Sequence, residues 1–205
     1  MDIPEYIMSF LQSDNKQIDE IWRQYSERDG LVPSIGPEVG KILGLIVRAI
    51  GAKRAIEFGT CIGYSTIWLG EAMRATGGKL IAVEASEIYF EEARKNVAEA
   101  GLNEYVELIH GDAAEVINKI EGPFDFILQD SAKPLYIFMF ERCVELLRVN
   151  GILAADDGLF LPMGFETPNA KAMDEYNKLA FGDKRLYTSL LPIGDGLTLS
   201  VKISD

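Results

Sequence analysis

An open, doubly wound α/β sheet is the fold this chain predicts, and three observations carry the prediction. Short, nearly all-apolar runs alternate with helix-period segments from Arg54 to Ala155. The first run, Ala55–Phe58, ends in a loop holding Gly59 and Gly63. A second apolar segment with a polar start, Thr66–Met73, follows at once, which is the pattern of a strand, a tight turn and a helix N-terminus. Past the alternating part, two strand-like runs flank Pro192–Gly196, as in a closing antiparallel hairpin.

The elements follow in order. Pro4–Arg28 reads as one helix, with Ile7, Phe10, Leu11, Ile18, Ile21, Trp22 and Tyr25 at helical spacing. Such a stripe either caps the main domain or serves as a lid or dimer arm. Gly30–Pro37 holds two prolines and two glycines and reads as a loop. Glu38–Ile50 reads as a helix with Val39, Ile42, Leu43, Ile46 and Val47 on one side. Strands are expected at Arg54–Phe58, Lys79–Val83, Tyr105–Ile109, Phe124–Gln129 and Gly151–Ala155. Several are apolar throughout, as parallel strands covered on both faces should be. Helices are expected at Thr66–Ala75, Glu87–Ala100, Ala113–Ile120, Ile137–Val149 and Lys171–Phe181, and hairpin strands at Leu186–Leu191 and Leu197–Ile203. No repeat or linker divides the chain, so residues 1–205 are expected to form one domain, with helical residues 1–50 ahead of an α/β core at 51–205.

Composition narrows the function. At 205 residues and 48% hydrophobic content the chain can bury a sizeable core. A net charge of −12 argues against a dedicated nucleic-acid surface. Cys61 and Cys143 make no disulfide framework and read as reduced packing residues of a cytoplasmic protein. No leader pattern or membrane-length apolar run is seen, and no membrane partner is expected.

In an open α/β sheet, ligands sit beyond the carboxyl ends of the strands. There the chain places Glu57 and Gly59, then Glu84, Asp112, Asp130, and Asp156 with Asp157. Glu84 lies 21 residues after Gly63, where an acid can accept from both ribose hydroxyls of an adenosine ligand. The loop Gly59-Thr60-Cys61-Ile62-Gly63 lacks the middle glycine of GxGxxG, so close approach of a pyrophosphate is poorly served. An adenosine ligand without phosphates fits better. S-adenosylmethionine is such a ligand, and its ammonium group would welcome Glu57. Asp112 is placed to accept from the adenine amino group, to cap the helix from Ala113, or to do both.

The fourth and fifth strands end in Asp130 and in Asp156-Asp157. If these strands are neighbours, three carboxylates converge and call for a cation. An all-oxygen set suits Mg²⁺, Ca²⁺ or Mn²⁺. Lys133, three residues after Asp130, is a base for a substrate hydroxyl if its pKa is lowered; a salt bridge to a nearby Asp competes.

At these residues the chain resembles the catechol and caffeoyl-CoA type O-methyltransferases, in particular their small bacterial members (O-methyltransferase family 3). The resemblance is carried by Pro37-Glu38-Val39-Gly40, Ala55–Thr60 with Gly63-Tyr64-Ser65, and Gly111-Asp112-Ala113. It continues through Phe124-Asp125-Phe126 with Asp130, Lys133 and Tyr136, then Ala155-Asp156-Asp157 and Leu191–Leu197. It implies the class I methyltransferase sheet of seven strands, mostly parallel with the last antiparallel, and a homodimer. Glu57, Gly59, Ser65, Glu84, Asp112 and Ala113 would surround S-adenosylmethionine, beside Gly63 of the loop and Asp130. Asp130, Asp156 and Asp157 would hold a divalent ion chelated by a vicinal diol on an aromatic ring, and Lys133 would receive the hydroxyl proton. The chain departs from the family at Asp157, where Asn is usual, at Ala132, where an acid is common, and at Asn150, a common glycine position.

The apolar segment Gly158–Thr167, with Leu159, Phe160, Leu161, Met163 and Phe165, suits a planar ring or packs against the N-terminal helix or a dimer partner. Two rival functions remain. A transfer-RNA hydroxyuridine O-methyltransferase needs Arg23, Arg28, Lys41, Arg48, Lys53 and Arg54 to cluster, and the acidity of the chain disfavours it. An NAD-type oxidoreductase fits Gly59 to Glu84 alone, but not the missing GxGxxG. His110, the only histidine, reads as a strand-end residue.

Overall fold

The computed structural model describes residues 3–11, 13, 15–28 and 35–205. Most of the expected loop Gly30–Pro37 lies outside the described residues; its last residue, Pro37, opens a helix.

The predicted N-terminal helix is two. α1 spans Ile3–Met8 and α2 spans Lys16–Glu27. The break falls where Asn15 turns its side chain to the backbone, accepting from Gln17 N–H at 3.1 Å. That cap competes with a continuous helix. α2 then lies across the core as a strap. Ile18 and Ile21 are buried, and Gln17 donates to Asn96 Oδ1 at 3.0 Å. Asn15 donates to Glu71 Oε1 at 2.6 Å, and Arg28 pairs with Glu92. α3 covers Pro37–Ala49, its proline in the first turn where no intrahelical N–H is needed.

The α/β core follows the predicted order. β1 is Arg54–Phe58, α4 Tyr64–Thr76, β2 Lys79–Glu84 and α5 Glu87–Glu99. β3 is Val106–His110, α6 Ala113–Val116, β4 Phe124–Gln129 and α7 Lys133–Leu146. β5 is Leu147–Ala155, α8 Pro168–Gly182, β6 Leu186–Leu191 and β7 Leu197–Lys202. The seven strands run β3-β2-β1-β4-β5-β7-β6, with β1 to β5 parallel and β7 antiparallel to both neighbours. Two apolar clusters cover the faces, one with Leu43, Ile67 and Leu69, the other with Tyr136, Met139 and Tyr176.

Three expected elements of the α/β core differ in the structure. α7 begins at Lys133 rather than Ile137, because Pro134 falls in its first turn and so starts the helix instead of breaking it. Leu147–Val149, expected as helix, belong to β5, whose pairing with β4 shifts register around Asn150, a residue at φ 63°. The expected helix Ala113–Ile120 is a single turn.

Strand order reverses between β1 and β4, which opens a crevice at their carboxyl ends. The ladder runs one residue past those ends. Gly59 N–H donates to Val83 O at 3.0 Å, Gly111 N–H to Glu84 O at 2.9 Å and Asp130 N–H to Phe58 O at 2.8 Å. Asp156 N–H reaches Gln129 O at 3.3 Å. The strand tips that carry the acids are therefore fixed by the sheet itself.

Candidate active site

The crevice holds a cavity of about 850 Å³. Gly59, Ser65, Glu84, Asp112 and Ala113 line one half, and Asp130, Lys133, Asp156 and Asp157 line the other. Of the residues singled out from the sequence, Glu57 and Gly63 are not in its lining.

Gly59 is needed for more than a turn. Its φ is 99°, and a Cβ there would lie 2.1 Å from the carbonyl oxygen of Asp130. The missing side chain lets the β1 tip close on the β4 tip, joining the two halves of the cavity. Gly63, at φ 93°, caps α4, and a Cβ on it would touch Ala93 at 3.5 Å, so it serves the turn and the packing of α5. Between them Cys61 adopts φ 48°, so the loop keeps a glycine-like backbone at the position where the motif lacks a glycine.

In this half, every acid already accepts hydrogen bonds. Glu84 takes Cys61 N–H at 2.7 Å on Oε2 and Ser86 N–H at 2.8 Å on Oε1. It thereby pins the glycine loop while its remaining lone pairs face the cavity. Asp112 accepts from Ala114 N–H at 2.8 Å and Glu115 N–H at 3.3 Å, the capping role weighed from the sequence, and lines the cavity as well. His110 ends β3, its ring Nε2 3.1 Å from Ala85 O. Glu57 is fully buried. Its Oε2 accepts from Thr66 Oγ1 at 2.5 Å, and its Oε1 has no partner. Burial pushes its pKa up to about 8, against the pull of the Ser65 and Thr66 hydroxyls and with the repulsion of Asp130 and Glu84. Thr66, nine residues after Glu57, was not singled out; its place in the first turn of the glycine-capped helix was the available signal.

The other half is short of positive charge. One oxygen each from Asp130, Asp156 and Asp157 lie within 4.8 Å of one another. Lys133 Nζ is 2.6 Å from Asp157 Oδ2 and 3.3 Å from Asp130 Oδ1, and donates to Tyr136 Oη at 2.8 Å. Asp156 is 6% exposed and its Oδ1 has no partner. Burial raises the pKa of all three acids, and their mutual repulsion adds to it at Asp130 and Asp156, although Lys133 pulls the other way. Of the two readings of Lys133, the salt bridge to a nearby Asp is present, and the condition of a lowered pKa is not met. Burial does pull it down, but Tyr136, Asp130 and Asp157 outweigh burial and hold it well above the usual value. Here Lys133 is an ammonium clamped by acids. Tyr136, one helical turn on from Lys133, is the partner that had been given no role. Asp157 sits at φ 67°, a backbone shape that Asn and Asp tolerate best. Three oxygen donors facing one ammonium, with one buried oxygen unpartnered, fit a hard divalent ion.

Phe160 and Phe165 also line the cavity, their rings 5.1 Å apart and steeply tilted. Leu161 and Met163 of the same segment face outward. Both cysteines are free thiols, Cys143 buried and Cys61 half-buried. Among the described residues, no helix is long and apolar enough to cross a membrane.

Comparison with known proteins agrees with this architecture. The chain is 30% identical over 181 residues to a catechol O-methyltransferase of Niastella koreensis, covering 82% of this chain and 81% of the relative. It is 28% identical over 180 residues to caffeoyl-CoA O-methyltransferase 1 of Eucalyptus globulus, covering 80% and 73%. An O-methyltransferase from Bacillus cereus, solved in complex with SAH, superposes with a TM-score of 0.84 at 27% identity over 97% of this chain and 96% of that one. The fold is also shared with cofactor-bound Rv0187 from MTB, at a TM-score of 0.89, 22% identity and coverage of 100% and 97%. The O-methyltransferase sequence profile matches residues 9–203. With its seven-stranded sheet and its acid-tipped strands, the chain belongs to the O-methyltransferase family.

Proposed function

We propose that this enzyme transfers the methyl group of S-adenosylmethionine to a hydroxyl of a catechol-like aromatic small molecule, with help from a divalent cation. One observation carries the reading. A single cavity joins a glycine-loop cradle, edged by Glu84 and Asp112, to a three-carboxylate cluster at the next two strand tips. The donor's SAH product is bound by the Bacillus cereus relative.

Asp130, Asp156 and Asp157 are the residues that would hold the cation. When bound, it would balance their charge and act as a Lewis acid on vicinal diol oxygens. With that charge balanced, Lys133 would lose the support that keeps it protonated, release its proton to water, and as the neutral amine be placed to take the hydroxyl proton. The oxygen forms its bond to the methyl carbon as the carbon–sulfur bond breaks, and the electron pair stays on sulfur. Glu57, buried behind the glycine loop, adds negative charge on the side where an ammonium group would sit, and Phe160 and Phe165 offer faces to the ring. Rigid strand tips serve the step chiefly by holding oxygen and methyl in line.

The acidic lining speaks against transfer RNA as acceptor, and the family match against an oxidoreductase. The homodimer rests on family likeness and on the apolar side chains exposed along α1, Tyr6, Ile7 and Met8; sedimentation would check it. The functional reading is tested by a methyl-transfer screen over catechols, flavonoids, hydroxycinnamoyl thioesters and transfer RNA. Methylation of vicinal diols is the expected result, and methylation of transfer RNA alone would overturn it.

A further inference from the structure

Asn96 of α5 is buried, at 4% exposed, and does not line the cavity. Both ends of its amide are nonetheless committed to segments far away in sequence. Its Nδ2 donates to Ile62 O, in the glycine loop, at 2.8 Å. Its Oδ1 accepts from Gln17 Nε2, on α2, at 3.0 Å. The same Gln17 nitrogen donates to Glu99 Oε2 at 3.1 Å, so Gln17 presents its protons to α5 and not its oxygen. That choice fixes the Asn96 amide, with its oxygen toward α2 and its NH₂ toward the loop.

The loop needs such a hold. Cys61 keeps φ 48° without being glycine, a backbone shape that persists only where its surroundings over-determine it. On the cavity side Glu84 accepts from Cys61 N–H, and on the α5 side Asn96 donates to the carbonyl of the next residue. α2 presses on the same stretch. The rings of Trp22 and Tyr25 lie 5.3 Å and 6.1 Å from that of Tyr64, the residue after Gly63. Gln17, Trp22 and Tyr25 are all outside the cavity lining. An effect of these side chains on a bound cofactor would have to pass through the loop.

We infer that Asn96 is a positioning residue that couples the strap α2 to the cofactor loop. Docked α2 holds the Asn96 amide, through Gln17, in the orientation that shapes Gly59–Gly63, and a cofactor seated on that loop holds α2 in place in return. The inference rests on the reading of the glycine loop as the S-adenosylmethionine cradle. Coupling of this kind is reciprocal, so strap and cofactor strengthen each other by the same factor. Once Gln17 no longer donates, the Asn96 amide can turn its oxygen toward Ile62 O, and the loop loses its hold on that side.

The test measures Kd for S-adenosylhomocysteine by calorimetry across substitutions at Gln17, on the full chain. Gln17→Ala should raise Kd about fivefold. Gln17→Glu, which can only accept, should raise it further, because Asn96 must then turn its NH₂ toward α2 and its oxygen toward Ile62. Gln17→Lys restores a donor and should recover most of the affinity. The KM for S-adenosylmethionine should follow Kd with kcat little changed, the mark of a contact equal in ground and transition states. In the wild type, S-adenosylhomocysteine should slow hydrogen exchange along α2, and in Gln17→Ala it should do so less. Asn96→Asp removes the donor to Ile62 directly and should raise Kd about tenfold or more. Should that variant fail to fold, the Gln17 series decides alone. An unchanged Kd in both Gln17→Ala and Gln17→Glu, whatever their melting temperatures, overturns the coupling while the cradle reading stands. A wild-type chain that does not bind S-adenosylhomocysteine overturns both.

Discussion

The two halves of the cavity are built from the same parts, acids at the tips of parallel strands, yet they solve opposite problems. In the Glu84–Asp112 half each carboxylate accepts backbone N–H groups, so its charge is settled and its geometry fixed. In the Asp130–Asp156–Asp157 half three carboxylates share one ammonium, and Asp156 Oδ1 has no partner. The first half is a finished cradle for a neutral or cationic nucleoside. The second is held together under repulsion, which is tolerable in a site that receives a cation.

The largest expected effect comes from relieving that repulsion. Asp156→Asn should lower kcat/KM for a catechol by about 1000-fold or more, since Lewis-acid stabilisation is worth several kcal/mol. The same change should raise the melting temperature of the metal-free protein, because a buried carboxylate without a full partner set is removed. Calorimetry and initial rates on one preparation check both signs. A loss of stability together with activity would place Asp156 in ordinary packing.

Gly59→Ala attacks the seam between the halves. With a Cβ 2.1 Å from the Asp130 carbonyl oxygen and φ at 99°, it should cost about 3 kcal/mol by overpacking and backbone strain. Denaturant unfolding measures it.

A buried acid between the halves predicts a pH dependence. Glu57 titrates near 8 when folded, against an ordinary value of 4.5. Between those values the folded chain keeps a proton that the unfolded chain has lost. Stability of the ligand-free protein should therefore fall as pH rises from about 5 to 8, by at most about 1.4 kcal/mol per unit, and level off above. In Glu57→Gln that component of the slope should vanish.

The smallest effect belongs to the settled half. Glu84→Gln leaves one backbone N–H of the loop facing an amide NH₂. It should raise the KM for S-adenosylmethionine about tenfold, a loss of 1–2 kcal/mol, and change kcat less.

How much of this could be read in the sequence follows the same division. β1, β4 and β6 have their predicted limits, and the acids after each strand were visible because parallel strands are apolar to their ends and the next polar residue marks the tip. What escaped was decided by contacts far apart in sequence. The hydrophobic stripe runs through the break at Asn15, and only its bonds to Gln17, Glu71 and Ala100 show the cap. Pro134 looks like a breaker until it falls in a first turn. Asp157 reads as one more metal ligand, but its spacing does not show that it also pairs with Lys133 at 2.6 Å and, after Tyr136 and Asp130, helps keep that lysine protonated. Spacing brings charges near one another, but their protonation depends on burial, which spacing does not report.

The central claim is that the acid-rich half works with a cation. Its most direct test is catechol methylation after exhaustive chelation, followed by graded Mg²⁺ or Mn²⁺. Activity should disappear with the chelator and return in a saturable way, and the same addition should raise the melting temperature of the wild type but not of Asp156→Asn. Full methyl transfer in excess chelator would contradict the account.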